Sequence, residues 1–524
     1  MPRLPLLLAC SCLSLFCPSG FASQSSINNP NNDVDAYSDA NKFENFNKNE
    51  SPDPENRPST TRTKYLNMAI DAAMNRALET LNHIKLLDLK SQNVREKAAL
   101  FDCWKFYEFT INQLNLTLNP SLKSTSLDIQ TWLSAALTNL GNCKTSITEL
   151  NVTNSVVLEF LSDDVSELIS NSLAINAEIM EKNVNQKSLP SWLPQGNSKL
   201  FELSENTAKL VVAQDGSGNF RTIKQALDAA SKRRNSARIV IQIKQGKYQE
   251  YLEINSNMKN IMLVGDGMGK TIITGNKSFA SGYTTFESST VKVMGDGFVA
   301  RDITFSNTAG AESSQAVALF SSSDFSAFYR CAFEGYQDTL WASSNRQFFQ
   351  ECHIYGTIDF IFGNAAVVIQ NSFIYARKPK HGQSVVITAQ GRTDPNQKTG
   401  ISIINCKVEA GPDLRPVLSQ YKAYLGRPWM KYSRTIYLKS FLGSLINPLG
   451  WMDWNTDYSR ENNVYYGEYG NYGPGSSTKG RVKWPGYKVI TSATEAKKFS
   501  VAKFIDGKAW LPETGVPFSA GLWV

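Results

Sequence analysis

The sequence predicts a parallel β-helix that is preceded by an all-α four-helix bundle, and three observations carry this prediction. From about residue 209 onward, short runs rich in β-branched and aromatic residues alternate with Gly and Asn turns. Several of these runs recur at intervals of 20 to 30 residues, which is typical of a solenoid. Between residues 63 and 185 the apolar residues instead advance in steps of three and four, as on amphipathic helices.

The N-terminal residues 1–22 predict a secretory signal peptide. Arg3 precedes an apolar run from Leu4 to Cys17, and Gly20 and Ala22 supply the small residues of a cleavage site. The run is too short to span a membrane and no other stretch is long and apolar enough, so we expect a soluble, exported protein. Residues 23–62 are rich in Asn, Asp, Ser and Pro and bury too little apolar surface to offset the entropy of ordering, which predicts disorder.

Residues 63–185 carry four helical stripes, which predict an antiparallel bundle with short connections. Ser126 and Asp128 are start signals for the third helix. Cys103 and Cys143 lie on two of the helices; a disulfide between them is one interpretation, and two separate buried thiols are the alternative. The stripe residues are Leu66, Ile70, Ala77 and Leu81; Phe101, Trp104, Ile111 and Leu114; Ile129, Leu133, Ala136, Leu140, Cys143 and Ile147; and Val157, Leu161, Val165, Leu168 and Ser172.

Residues 186–208, with their Pro, Gly and polar side chains, predict a linker to the β-rich part, residues 209–524. The short, unevenly looped units of that part favour a parallel β-helix over leucine-rich repeats, and a sandwich of alternating strands is the structural alternative. Equivalent positions of successive units, 28, 21 and 20 residues apart, are Phe305, Phe333, Ile354 and Ile374. The predicted strands include Ile239–Ile243, Ile261–Val264, Val299–Phe305, Val317–Phe320, Phe325–Phe333, Phe348–Ile354, Val367–Ile374, Val385–Ala389, Ile401–Val408 and Thr435–Leu438.

The composition limits the kinds of chemistry that the chain can perform. Its net charge of +7 suits a polyanionic partner, although ordinary solubility explains the charge equally well. Only three His are present, no Cys/His cluster has zinc-ligand spacing, and neither a Gly-x-Ser-x-Gly elbow nor a Ser-His-Asp arrangement is found. We therefore expect no metal and no cofactor. Export would allow glycosylation at four sequons, Asn49, Asn115, Asn151 and Asn276.

Two acidic motifs predict a paired-carboxylate site. Asp338 in GYQDTLW and Asp359 in GTIDFIFGN lie 21 residues apart, and each follows its Cys, Cys331 or Cys352, by seven residues. If one repeat is one coil, the two carboxylates lie roughly 5 Å apart, the spacing of neighbouring strands. Like charges at that distance should raise one pKa and lower the other, which separates an acid from a nucleophile or base. The alternative is that each Asp caps its own turn.

Four further side chains complete the candidate site. Gln337 and Gln315 are neutral donors that suit an oxyanion, although amides that stack along the coils are the alternative. In LGRPW, Arg427 is suited to hold one Asp ionised, and Trp429 offers a flat face to a sugar ring. A buried structural Arg–Asp pair and a core Trp are equally compatible with this motif.

Several motifs together resemble plant pectin methylesterases over residues 209–524. They are QAVAL, DITFSNTAG, GYQDTLW, GTIDFIFGNAAVV, TAQGRTDPNQKTG, LGRPW and YYGEYGNYGPG. AALFDCWKFYE and WLSAALTNLGNCKTS, within residues 63–185, resemble the inhibitor-like pro-region of the longer members. The resemblance implies a right-handed β-helix, no cofactor, and hydrolysis of methyl esters of homogalacturonan in the cell wall.

The resemblance also implies a role for each candidate residue. Asp359 would attack the ester carbonyl, and Asp338 would protonate the departing methanol and then activate water. Gln337 and Gln315 would stabilise the oxyanion, and Arg427 would orient Asp359. Trp429 and Thr285, the latter in GYTTF, would contact the polysaccharide.

Three departures from the family pattern affect these expectations. Ser372 occupies the position of a Cys that many relatives pair with the counterpart of Cys352, so that Cys331 and Cys352 are left as an alternative pair. The inhibitor-like region lacks its first Cys pair, and the linker lacks a basic processing motif, its nearest equivalent being Ser198–Phe201 with the single Lys199. Inhibition by this region and its removal are therefore open at this stage.

The partners expected from the sequence are methyl-esterified homogalacturonan and a proteinaceous inhibitor or the chain's own pro-region. No nucleic acid and no membrane are expected. A glycosidase or lyase that cleaves pectin is the alternative enzyme, because carboxylates about 5 Å apart also suit a retaining glycosidase. A wall-binding or inhibitory protein that acts through the helical part is the non-enzymatic alternative.

Overall fold

A computed structural model describes residues 59–160, 164–182, 210–233, 237–454 and 460–522. The predicted signal peptide lies outside these residues, as do nearly all of the predicted disordered segment and the whole predicted linker. No helix among the described residues combines the length and apolar character that crossing a membrane requires.

Five helices of the described residues form the N-terminal bundle. Its third helix, α3, begins with a capping box in which Thr125 and Asp128 satisfy each other's backbone N–H groups. A disulfide joins Cys103 of α2 to Cys143 of α3, so the first of the two interpretations is correct. The last predicted stripe falls on two helices, α4 and α5, rather than one. The helices are α1 (Ser59–Lys90), α2 (Val94–Leu118), α3 (Ser126–Glu149), α4 (Ser155–Phe160) and α5 (Asp164–Lys182).

From Leu210 onward the chain winds as a right-handed parallel β-helix with three sheets. Sheet A contains β1 (Leu210–Val212), β2 (Ile239–Ile243), β5 (Ile261–Val264), β8 (Val299–Arg301), β11 (Ser326–Tyr329), β14 (Arg346–Gln350), β17 (Ala366–Gln370), β20 (Gly400–Ile404), β23 (Arg434–Leu438), β25 (Tyr465–Tyr469) and β26 (Tyr487–Val489). Sheet B contains β3 (Gly246–Gln249), β6 (Thr271–Gly275), β9 (Thr304–Asn307), β12 (Ala332–Glu334), β15 (His353–Gly356), β18 (Phe373–Ala376), β21 (Lys407–Ala410) and β24 (Phe441–Leu442). Sheet C contains β4 (Leu252–Ile254), β7 (Val291–Val293), β10 (Leu319–Ser321), β13 (Leu340–Ala342), β16 (Ile361–Gly363), β19 (Val385–Gln390) and β22 (Ala423–Pro428).

The remaining helices lie at the two ends of this part of the chain. Helix α6 (Ile223–Ser231) follows β1, and α7 (Ala493–Lys497), α8 (Val501–Phe504) and α9 (Gly507–Trp510) follow β26. The residues of α8 and α9 pack on the outer face of sheet A, where they bury apolar side chains of that sheet. Sheet C has the helical bundle on its outer face instead.

Five of the predicted strands are each two strands of different sheets. The break in each lies at a residue with positive φ, which turns the chain from sheet A into sheet B. Asp302, Arg330, Glu351, Asn371 and Asn405 have φ between 49° and 59°. A left-handed residue bends the backbone sharply while its neighbours keep the β pattern, so that the hydrophobic run continues across the corner and hides the turn.

The predicted alignment of the repeats is confirmed. Phe305, Phe333, Ile354 and Ile374 pair in register along sheet B, and their side chains point into the interior. The residues that follow the corners form another buried column, in which Cys331, Cys352 and Cys406 are free thiols. Cys331 and Cys352 are therefore not paired, and Ser372 accepts the N–H of Cys352 through its hydroxyl at 3.0 Å.

Replacing Phe333 by Ala should test this core. Phe333 is fully buried and stacks on Phe305 at 5.5 Å, so we expect the free energy of unfolding to fall by about 3–5 kcal/mol. Phe373→Ala is the matched control, since this ring lies on the outer face of the same sheet. The free energy of unfolding should fall by less than about 1 kcal/mol in this variant. Chemical unfolding measures both, and equal losses would contradict the assigned interior.

Candidate active site

The two predicted carboxylates lie at the same position of neighbouring coils. Asp338 and Asp359 each stand two residues before their sheet C strands, β13 and β16, which pair with Leu340 opposite Ile361. Both residues have positive φ, 62° and 50°, and the N–H of Asp338 donates to the carbonyl of Ile358 at 3.0 Å. Backbone register thus brings together two residues that are 21 positions apart in sequence.

Arg427 makes the two carboxylates unequal. It lies on β22 of the same sheet, and its Nε and Nη2 donate to the Oδ1 and Oδ2 of Asp359 at 2.9 and 2.6 Å. The guanidinium also lies against the ring of Trp454, 4.2 Å from its centroid. This two-point pair favours the ionised form of Asp359 over that of Asp338.

Burial sets the direction of both pKa values. Burial first, then the neighbouring Asp359 and then Glu149, raise the pKa of Asp338 well above its usual range, against an opposing effect of Arg427. Burial also raises the pKa of Asp359, although Arg427 opposes it through charge and hydrogen bonding. The prediction that one pKa falls is therefore wrong, because desolvation by burial exceeds the effect of the arginine on Asp359. The predicted order of the two pKa values is unchanged, and Asp338 is the more readily protonated carboxyl.

A row of outward side chains crosses sheet C beside the carboxylates. Its centre is aromatic, Trp341 and Phe362 stacking at 5.0 Å, and its ends are charged. Trp429 extends this surface: it meets Phe362 edge to face at 6.0 Å and lies so close to Gly391 that a Cβ there would approach its ring to 2.8 Å. In register, the row is Glu253, Lys292, Phe320, Trp341, Phe362, Ala389 and Arg427.

Gln315 and Gln337 lie on adjacent coils next to Asp338. The N–H of Ala316 donates to the carbonyl of Gln337 at 3.2 Å, which ties the two segments together. Both residues are partly exposed. Thr285, the remaining predicted contact, does not face an open cleft, because its hydroxyl donates to Glu149 of the bundle at 2.9 Å.

The bundle packs on this face of the β-helix. Phe106 of α2 packs against Phe286 and Trp341, with centroids 5.0 and 6.4 Å away. Helix α3 runs along the same face and exchanges hydrogen bonds between polar side chains, from Asn142 to Ser343 and from Asn364 to Thr138. The paired carboxylates, the aromatic row and Thr285 are consequently buried in the full chain.

Sequence reasoning missed the residues that the bundle brings to the site. Glu149, Asp102 and Phe106 lie on predicted helices but outside the apolar stripes, and no local pattern marks them as facing another domain. The aromatic pair Trp341 and Phe362 could have been predicted from the sequence. Each lies three residues after its Asp and therefore follows the same repeat as the two carboxylates.

In-register carboxylates of unequal pKa on a parallel β-helix, beside an aromatic surface, define a polysaccharide-modifying enzyme of the acid–base or nucleophilic type. Comparison with known families identifies the type further. A family model described as Pectinesterase matches residues 209–508, and a model described as Plant invertase/pectin methylesterase inhibitor matches residues 48–175.

Curated relatives match nearly the whole chain. Pectinesterase 2 of Citrus sinensis is 54% identical over 88% of this chain and 89% of its own length. Probable pectinesterase/pectinesterase inhibitor 17 of Arabidopsis thaliana is 52% identical over 89% of this chain and 90% of its own. The chain belongs to the pectinesterase family and is a carboxylic ester hydrolase with an inhibitor-like helical domain.

Solved structures match the β-helical part. Pectin methylesterase from carrot is 53% identical with a TM-score of 0.59, and the match covers 60% of this chain and 98% of that one. The deglycosylated pectin methylesterase from Aspergillus niger, with an N-acetylglucosamine stub at its glycosylation site, is 29% identical with a TM-score of 0.50 over 62% of this chain and 97% of that one. The fold of the β-helical part is thus that of these enzymes.

Proposed function

We propose that the chain hydrolyses methyl esters of pectin to pectate and methanol by covalent catalysis on Asp359. The observation that carries this proposal is the asymmetry of the pair: Asp359 is held by the Arg427 fork, and the pKa of Asp338 is raised well above its usual range by burial and by Asp359. A covalent mechanism needs one carboxylate that attacks and one acid that donates a proton. No finding favours cleavage of the polysaccharide chain instead.

In the first half-reaction, a carboxylate oxygen of Asp359 bonds to the carbonyl carbon of the methyl ester. The tetrahedral oxyanion accepts hydrogen bonds from the amides of Gln315 and Gln337, which are free of other side-chain hydrogen bonds among the described residues. As the carbon–methoxy bond breaks, Asp338 gives its proton to the methoxy oxygen, and methanol leaves. An anhydride of Asp359 and the galacturonate remains.

In the second half-reaction, Asp338 is ionised and takes a proton from water. The hydroxide bonds to the galacturonate carbonyl, the bond to Asp359 breaks, and the product leaves as a carboxylic acid that gives its proton to solvent. Asp338 ends protonated and Asp359 ends ionised, paired with Arg427. Asp338 therefore carries one proton in each direction, so that no other acid or base is required.

The substrate lies along sheet C in this proposal. The row from Lys292 to Arg427 spans five strand steps, roughly 24 Å at the spacing of neighbouring strands. Trp429 stacks on a sugar ring and Thr285 hydrogen-bonds to the chain. The net charge of +7 favours attraction to a polyanion such as partly de-esterified pectin.

The helical bundle is, in this proposal, a cover that keeps the enzyme inactive. It is the chain's own inhibitor-like partner, and substrate reaches Asp359 only after the bundle leaves. Two carboxyl groups of the bundle contact adjacent threonines of the β-helix. Glu149 accepts a hydrogen bond from the hydroxyl of Thr285 at 2.9 Å. Asp102 accepts one from Ser146 at 2.8 Å and lies beside Thr284. Burial raises the pKa of Glu149 to about 6 and that of Asp102 to about 7.

Secretion to the cell wall completes the proposal. The predicted signal peptide and the polysaccharide substrate of the family support it, and an intramolecular disulfide suits an oxidising compartment. Residues 63–185 act as the pro-region, 186–208 as the linker and 209–524 as the catalytic domain. Mass spectrometry of the secreted protein, combined with a methanol-release assay, tests processing and activity together.

Asp359→Asn should abolish turnover while the fold and substrate binding persist. The amide cannot attack the ester, so we expect methanol release to fall by roughly 10⁴-fold or more. Neither the wild type nor the variant should produce new reducing or unsaturated ends. The assay uses full chain that carries a protease site within residues 186–208 and has been cut there. Asp302→Asn, a corner residue that already has positive φ, is the matched control and should keep full activity. Unchanged release by Asp359→Asn would exclude it as the nucleophile.

Arg427→Ala should move the acid limb of the pH–rate profile upward. Arg427 lowers the pKa of Asp359 through charge and hydrogen bonding, so its removal leaves burial unopposed and the carboxylate protonated to higher pH. Arg330→Ala is the matched control, because Arg330 pairs with Asp302 at a distant corner. An acid limb in the same place in both variants would contradict the role of the fork.

The cover should loosen as pH rises. The pKa of Glu149 is higher in the docked state than in water, so its contribution to docking is full below its ordinary value and is lost as pH rises through about 6. Glu149→Gln removes this titration, so the change in docking affinity between pH 5 and 7 should be smaller than in wild type by up to roughly tenfold.

The measurement is separation of the cut halves on size-exclusion chromatography as a function of pH. Glu167→Gln, an exposed change on α5, should behave as wild type. Equal pH dependence in the two variants would show that Glu149 is not the titrating group, and would direct attention to Asp102.

A further inference from the structure

We propose that a cavity at the first coil of the β-helix binds a galacturonate residue of pectin, and that it does so while the paired carboxylates are still buried. The cavity lies between α6 and the segment that follows β6, at the end of sheet C that β4 forms. This inference deepens the proposed function, because its ligand is the acidic sugar of the same polysaccharide.

The first-coil cavity has the size and the lining of a sugar site. Its volume is about 450 Å³, within the range of roughly 300–1,000 Å³ that ligand pockets occupy. Its walls combine ammonium, carboxylate and amide groups, those of Lys224, Asp228 and Asn255 among them. An inorganic anion is best held by cations and other donors alone, whereas a hydroxylated acid uses donors and acceptors together. The mixture therefore favours a sugar acid.

Lys277 carries a charge that the fold positions but does not neutralise. Its Nζ lies 4.3 Å from the ring centroid of Tyr251 and 4.6 Å from that of Tyr283. Within the part of the chain that the structure describes, this ammonium forms no ion pair. The two rings hold the cation by cation–π attraction, which leaves its N–H groups for a ligand carboxylate.

The ring of Tyr251 is itself fixed by the turn that carries Lys277. Its hydroxyl donates to Oδ1 of Asn276 at 3.1 Å and accepts the backbone N–H groups of Asn276 and Lys277 at 3.0 and 3.2 Å. A Cβ at Gly275 would approach the ring to 2.7 Å, so the glycine allows the ring to lie against this turn. This wall of the cavity is therefore formed before a ligand binds, which lowers the entropic cost of binding.

Ser289 supplies a second group for the ligand. It lines the cavity and is only 3% exposed, and its Oγ has no hydrogen-bond partner among the described residues. Because buried hydroxyls are normally paired, an unpaired one in a cavity wall indicates a bound group that completes it. We assign a sugar hydroxyl to this position.

The buried cation of the cavity, Lys292, is already neutralised. Its Nζ pairs with Glu253 at 3.2 Å and also with Glu287, and it lies 4.4 Å from the ring centroid of Phe286. Lys277 rather than Lys292 is therefore the group that attracts an anion.

The first-coil cavity is separate from the reacting groups and does not depend on the bundle. Three strand steps, roughly 14 Å, separate β4 from β13, the strand that follows Asp338. The residues that line it all fall between Lys224 and Lys292, within the β-helical part. Residues of α2 line instead the adjoining cavity, which shares Glu253 and Glu287. The full chain thus offers a site for pectin before the carboxylates are uncovered.

Calorimetric titration of the uncut full chain with trigalacturonate tests the proposal. We expect saturable binding, and Lys277→Gln should weaken it roughly tenfold or more, because the carboxylate loses a charged partner. Lys247→Gln is the matched control: this lysine is exposed on β3 of sheet B, outside the cavity, and its loss should leave binding as in wild type. Neutral α-1,4-linked galactotriose should bind the wild type roughly tenfold more weakly or worse.

Ser289→Ala separates a ligand contact from a structural role. We expect binding to weaken roughly threefold to tenfold, while the melting temperature does not fall, because the hydroxyl has no partner in the folded chain. A lower melting temperature with unchanged binding would show that Ser289 is structural. If Lys277→Gln does not fold, Ser289→Ala and galactotriose decide the outcome.

Three results would overturn the proposal: no saturable binding by the uncut chain, Lys277→Gln within about twofold of Lys247→Gln, or galactotriose binding as tightly as trigalacturonate. Trp429→Ala should bind as wild type, and an equal loss in this variant would place the ligand in the catalytic cleft instead. Methanol release by the cut wild-type protein is measured separately. Its absence would contradict the esterase function, whereas the titration involves no turnover and would still decide the cavity.

Discussion

The register between neighbouring coils is the constraint on which the rest of this molecule depends. Parallel pairing fixes each residue of one coil opposite its equivalent in the next, at one strand spacing. Two Asp at equivalent positions thereby become close neighbours, and an Arg in the same sheet reaches one of them. Because a coil cannot shift by one residue without turning its interior side chains outward, the buried phenylalanines of sheet B help to fix the positions of the two carboxylates.

The same register also produces the surface that the bundle covers. Residues one position further along the sheet C strands form the outward row with Trp341 and Phe362 at its centre. A surface flat and apolar enough to stack on sugar rings is equally suited to pack against Phe106 of the bundle. In the proposed function, substrate and bundle therefore compete for one set of contacts. The cover adds carboxyl groups of its own to a site that already holds two, and the dry interface favours their protonated forms.

Much of this was predictable from particular residues. The interval shared by Asp338, Asp359 and the Phe–Ile positions of sheet B predicted the coil and the pair, because periodicity survives in sequence. The corners between sheets A and B could not be predicted. Arg330 and Glu351 have a left-handed backbone conformation, but in sequence each looks like any polar residue within a β-rich run. The prediction that one of the two pKa values falls was also wrong, because both are raised. Local charge was visible in the sequence, but the burial that outweighs it depends on the folded environment of Asp359, which the sequence does not show.

The ion pair between Asp128 and Arg346 shows why contacts between the bundle and the β-helix are the hardest to predict. Asp128 reads as a helix start signal, and the capping box confirms that reading in full. Yet the box occupies only one of its oxygens, and the other carries the contact to Arg346. A residue whose local role is satisfied gives no sign of a second role. A buried arginine that engages its own domain with two of its three nitrogens is the better sign, because the remaining donor must find an acceptor that its own fold does not supply. In this chain that acceptor is Asp128 of the bundle, so the requirement to pair one nitrogen contributes to the stability of the contact between the bundle and the β-helix.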